Sequence, residues 1–187
     1  MVHIRSKDDG KVLVQLEGSS LEYADLANAN LANAGLDCAV LVGANLQGAN
    51  LDRAALQRAD LSYADLTAAC LCRADLAGAS LDTAEMTLAN LTSAILVGAN
   101  LSGADLYGAN LANADLSGAQ LFGADLEATI LVGADLSGVM FDEATRWPED
   151  YDPQILGARV KMVHDARRGK ASRKVSPGAV HIARTGT

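Results

Sequence analysis

The side chains here that could do chemistry are 23 carboxylates, three cysteines and three histidines. Nine of the acidic residues, from Asp25 to Asp135, stand immediately before the Leu position of a five-residue repeat, so they offer negative charge spread along a surface. Cys38, Cys70 and Cys72 fall on nominally outward positions. Cys70 and Cys72 flank Leu71 on one face, where their side chains could approach each other, but neither a second cysteine pair nor a nearby histidine completes a metal set. A zinc site needs four protein ligands, or three and a water. These thiols read as structural or incidental, and reduced in a cytoplasmic protein. His3, His164 and His181 lie outside the repeat with no Ser or Cys partner in a recognisable arrangement. The chain also has no phosphate-cradling glycine loop followed by lysine. The expectation is a protein that is not an enzyme, with no catalytic, cofactor-binding or metal residue.

The elements that position these groups follow from one period. From Leu21 to Phe141 every fifth residue is Leu, with only Met86 and Phe141 as substitutes. Ala stands two residues earlier at nearly every repeat, with Thr129 and Val139 as departures. A helix advances roughly 100° per residue, so leucines five apart would scatter around its cylinder. A flat strand would throw successive leucines to opposite faces. The pattern fits a path in which Ala and Leu point inward from a short extended segment and the next two residues turn the chain. Glycine concentrates at the second residue after Leu, as at Gly43, Gly98 and Gly103, and Asn28, Asn33 and Asn113 stand there too. Both residue types tolerate positive φ.

Runs such as Ala99-Asn100-Leu101-Ser102-Gly103-Ala104-Asp105-Leu106 resemble pentapeptide-repeat proteins, over about two-thirds of the chain. The resemblance implies an all-β fold, a right-handed quadrilateral parallel β-solenoid with one pentad per side and four pentads per coil. The leucine positions then fill about six coils, roughly 30 Å of column at about 4.8 Å per coil. Each buried Leu contributes roughly 1.5–3 kcal/mol. A Leu101→Asp change is therefore expected to unfold neighbouring coils, and an outward Ser102 change to be silent.

Residues 1–20 read as an N-terminal cap: a turn at Lys7–Gly10, then a strand or hairpin in which Val12, Val14 and Leu16 alternate. An open solenoid end is a sheet edge that invites aggregation. The solenoid spans 21–145. Residues 146–165 read as a C-terminal cap, with Trp147 as an apolar plate over the last coil and a short helix from Gln154 to about His164 opened by Pro153. This segment resembles the tryptophan-proline ending of cyanobacterial-type members. Residues 166–187 form a basic tail, expected to be disordered. No apolar run is long enough to span a bilayer, and the first residues lack a signal-peptide core, so no membrane association and a cytoplasmic location are expected.

Net charge is −8, unevenly spread. Leu21–Thr145 holds sixteen acidic residues against Arg53, Arg58 and Arg73, whereas Arg146–Thr187 is net basic by five. The column would repel nucleic acid, so no direct DNA binding by it is expected. With four pentads per coil, Asp25, Asn45, Asp65, Glu85, Asp105 and Asp125 stack as one outward ladder, the candidate interaction site. A second ladder carries Asn30, Asn50, Cys70, Asn90, Asn110 and Ile130, and a third ends in Asp75, Ile95, Asp115 and Asp135. Outward apolar pairs, Ile95 with Val97 and Ile130 with Val132, read as lateral filling.

The function expected from these features is a non-catalytic scaffold or protein-interaction protein whose partner the sequence does not name. The alternative is a DNA-mimicking modulator of DNA gyrase or topoisomerase IV, as in members that resemble quinolone-resistance factors. Those members favour Phe at central sites, where this chain has Leu. Dimerisation through an end coil, with Ile155–Val163 as the contact, is a further expectation from the family.

Overall fold

Each pentad folds as a tight turn followed by a single bridging residue. The N–H of the Ala position returns to the Leu carbonyl three residues earlier, as in Ala104 to Leu101 at 3.1 Å. The second residue after every Leu position, from Tyr23 to Gly138, has φ between +55° and +73°. Positive φ at that residue alone, with an i to i+3 bond, defines a type II turn. Arg53, Thr83 and Leu88 adopt it as well as Gly and Asn. A left-handed conformation costs an L-residue about 1–2 kcal/mol, so these turns are held by the bonds around them. Gly43 meets a second demand: a Cβ there would lie 2.5 Å from the Tyr23 ring, which covers it from the preceding coil.

A computed structural model describes residues 1–149, 151 and 152, and the backbone of 159 and 160. Successive coils pair in parallel with a strict offset of twenty residues, from Asp25 with Asn45 through to Gln120 with Met140. Four ladders run along the column, and among the described residues no helix is present. Each bridge carries two bonds, as in Leu46 N–H to Asp65 O at 2.7 Å and Asp65 N–H to Ala44 O at 3.0 Å. A third bond joins the turns, Gly48 N–H to Thr67 O at 2.9 Å. The Ala and Leu positions fill the interior, and every residue at the Leu position from Leu41 to Leu126 is sealed from solvent, Met86 included. Small and large side chains alternate inward because a narrow bore has no room for two large ones per side.

At the N-terminus, β1 (Val2–Arg5) and β2 (Val12–Leu16) form an antiparallel hairpin with a register shift between Ile4 and Arg5. Ile4 is 2% exposed and joins the leucine core. The hairpin is tied to residues 33–35 by Lys7 N–H to Asn33 O and Gly35 N–H to Arg5 O, at 2.9 and 2.8 Å. Val12, expected inward with Val14 and Leu16, is 43% exposed, because the shift at Arg5 displaces the strand's last pair.

At the other end the count slips by one. β3 (Met140–Phe141) ends the regular pentads, and the next turn runs from Asp142 to Thr145. Arg146 then pairs with Asp125, twenty-one residues away, so pairing runs one residue past the expected boundary at 145. Thr145 takes the buried Ala position and donates its hydroxyl to Leu121 O at 2.7 Å. Trp147 follows at the Leu position, edge-on to Phe141 at 5.3 Å and stacked on Tyr151 at 5.5 Å. Most of the helix expected over Gln154–His164 lies outside the described residues, as does the tail 166–187. Within that stretch Arg159–Val160 forms a strand, β4, paired in parallel with β3. The open edge of β3 offers backbone bonds that an extended segment can use and a helix cannot.

Candidate acidic interaction face

Five backbone N–H groups per pentad need partners, and the turn and the two neighbouring coils supply four. The fifth belongs to the first residue after Leu. An Asp or Asn two residues before it accepts that bond through Oδ1: Gln47 to Asn45, Thr67 to Asp65, Tyr107 to Asp105 and Glu127 to Asp125, at 2.9–3.2 Å. Where Asp or Asn stands at this position it answers that backbone need, and the two serve alike whatever the charge.

The six ladder residues are brought together. Asp25, Asn45, Asp65, Glu85, Asp105 and Asp125 bridge one to the next along one face. Asn45 donates to Asp25 at 3.1 Å, and Thr87 donates to Asp105 Oδ2 at 3.0 Å. Oδ1 of Asp25, Asp65, Asp105 and Asp125 is thus committed to the fold, and Oδ2 of Asp105 and Asp125 is bonded as well, to Thr87 and Arg146. Glu85, one methylene longer, is exposed.

Arg146 closes this ladder, a role the sequence reading missed because it stopped the repeat at Phe141. Its guanidinium meets Asp125 and Glu127, each at 2.7 Å. The bond to Glu127 and the charge of Asp125 raise its pKa. An Arg immediately before a Trp, one step out of phase, was the available signal.

The other groups fall as follows. The second and third ladders assemble with the expected members. Arg73 grips Asp52 with two nitrogens at 2.7–3.1 Å. Cys70 and Cys72 do approach, with Sγ atoms 3.3 Å apart. Burial first, then the bond to Cys70, pushes the Cys72 thiol up to about 11. Among the described residues no group of three or more His, Cys, Asp or Glu converges as a metal site would need. Val132, at 75%, and Ile130 are the exposed apolar pair nearest the C-terminal end.

The family model for pentapeptide repeats matches residues 13–41, 39–78, 84–121 and 119–145, in eight copies. The chain belongs to the pentapeptide-repeat family. Two solved pentapeptide-repeat structures from cyanobacteria are similar to it. The protein alr5209 of Nostoc PCC 7120 is 40% identical, with 55% of this chain and 84% of that one covered and a TM-score of 0.54. Rfr23 of Cyanothece 51142 is 34% identical, with 58% and 90% covered and a TM-score of 0.50. QnrB1, a plasmid-mediated fluoroquinolone resistance protein, is 17% identical over 75% of this chain and 81% of its own, with a TM-score of 0.46. Among curated proteins none matches. This pentapeptide-repeat chain is a β-solenoid repeat protein whose outward Asp and Asn side chains belong first to its architecture.

Proposed function

We propose that this pentapeptide-repeat protein is a non-catalytic scaffold, a right-handed column of about six coils covered at both ends, that presents its acidic ladder to a protein partner with a basic surface. The observation that supports this is the stacked row itself: Asp65, Glu85, Asp105 and Asp125 repeat with the coil spacing on one face, each Asp held by an Oδ1 bond from the backbone. A rigid row of charge steers and registers a complementary partner without chemistry of its own.

Asn serves the same cap at Asn45, Asn50 and Asn90, so Asp65→Asn with Asp105→Asn and Glu85→Gln removes the charge and keeps the turns. Cross-linking in cell extract should lose the captured partner in this variant while far-UV circular dichroism is unchanged. Equal capture by both proteins would refute the ladder as the docking face. Saturable turnover abolished by one point change would refute the scaffold.

The continuity of the acidic row from Asp65 to Asp125 also suits a second reading, the gyrase or topoisomerase IV modulator, since such a target is built for a polyanion. A supercoiling assay separates the two: no inhibition and no quinolone protection at micromolar protein dismisses the mimic.

A further inference from the structure

We propose that Cys70 and Cys72 are a redox-active dithiol that closes to an intramolecular disulfide by exchange with a small-molecule disulfide. The pentad builds the site. Ser62, Thr92 and Ser102 each stand first after Leu and donate a hydroxyl to the Asx oxygen two residues back, at 2.6–2.7 Å. Cys70 and Cys72 occupy the same two positions, and the geometry that seats hydroxyl on carboxamide seats one sulfur on the other at 3.3 Å.

Both cysteines are partly buried, and the backbone beneath them is fixed by Cys70 N–H to Ala49 O and Leu51 N–H to Cys70 O. A disulfide requires the sulfurs to close from 3.3 Å to about 2.05 Å. Two sulfurs with no third ligand among the described residues suit this better than zinc, which needs at least three protein ligands.

Burial keeps the Cys72 thiol protonated, so Cys70 attacks first. Its thiolate bonds to one sulfur of the small disulfide, breaking that S–S bond and expelling one thiolate. Cys72, losing its proton, then attacks the Cys70 sulfur and displaces the second thiolate. The two cysteine protons end on the two released thiols. The protein is oxidised by two electrons, and the small disulfide is reduced by the same two.

The test uses the full chain with Cys38→Ser, alone and combined with Cys72→Ser or Cys70→Ser, incubated with oxidised glutathione and read by intact mass and thiol titration. Serine is already accepted at positions 62 and 102, which match Cys72, and at position 80, which matches Cys70. With Cys38→Ser alone, both thiols should vanish as a pair of hydrogens with no glutathione retained. With Cys72→Ser added, glutathione should remain on Cys70 at roughly tenfold or more that level, because no resolving thiol is present. With Cys70→Ser instead, attack should be slower. Free thiols persisting in the Cys38→Ser protein, equal glutathione adducts with and without Cys72, or disulfides between chains would each overturn the proposal.

Discussion

Arg146 Nη1 donates to Asp125 Oδ2 at 2.7 Å, setting a cation at the end of a row of carboxylates. It reaches that place because one extra residue between Phe141 and Thr145 shifts the repeat from twenty to twenty-one. Neither partner is deeply buried, so the interaction is screened by salt. Arg146→Gln should therefore melt below the parent protein in dilute buffer and level with it near 1 M salt. A gap that persists at high salt would point to packing instead of charge.

The leucine axis is the least tolerant part of the column. Leu101 is fully buried, and Leu101→Ala should cost about 2–5 kcal/mol in urea denaturation. Ser102, expected silent, donates to Asn100 at 2.6 Å, so Ser102→Ala should cost about 0.5–1.5 kcal/mol. Reversed magnitudes would contradict the inward assignment of Leu101.

Gly43 and Gly98 share the same left-handed φ of +63°, but only Gly43 lies beneath a ring. Ala128 already occupies an equivalent corner, so Gly98→Ala should cost about 1 kcal/mol. Gly43→Ala should cost more, because Tyr23 must swing off its seat. The excess should disappear in a Tyr23→Ala background, and a double-mutant cycle by thermal denaturation measures it.

How much of this was legible beforehand follows from what a strict period encodes. The five-residue spacing of Leu and Ala dictates inward and outward positions, and so the ladders follow once the coil holds four pentads. The spacing alone assigns no bond to Asp65 and Asn45, but their residue types do, since Asp and Asn both suit a corner hydrogen bond. The spacing could not place Arg146, since a one-residue slip destroys the regularity that carried the inference. The N-terminal cap could be read only as a hairpin or a single strand, because the four residues of β1 have too few alternations to decide.

In the N-terminal turn, the Asp9 carboxyl is lowered from 3.8 to about 2, chiefly by its hydrogen bond from Lys11 at 2.8 Å. A depressed folded-state pKa means that this group supports the fold above its unfolded value and loses that support as pH falls through about 2. Both groups are exposed, so the stability effect is small and the titration itself is the readout. Carbon-detected NMR should find the Asp9 midpoint near 2, rising towards 3.8 in Lys11→Met.

Spin labels along one rib test the stacked column most directly. With the native cysteines replaced by serine, Ala27 paired with Tyr107 spans four coil steps, and Ala27 paired with Glu127 spans five. Pulsed electron resonance should give distances near about 19 Å and about 24 Å, since each further twenty residues adds about 4.8 Å. Distances that fail to lengthen by that step, or that shorten from the first pair to the second, would contradict a column of stacked coils and the acidic face built on it.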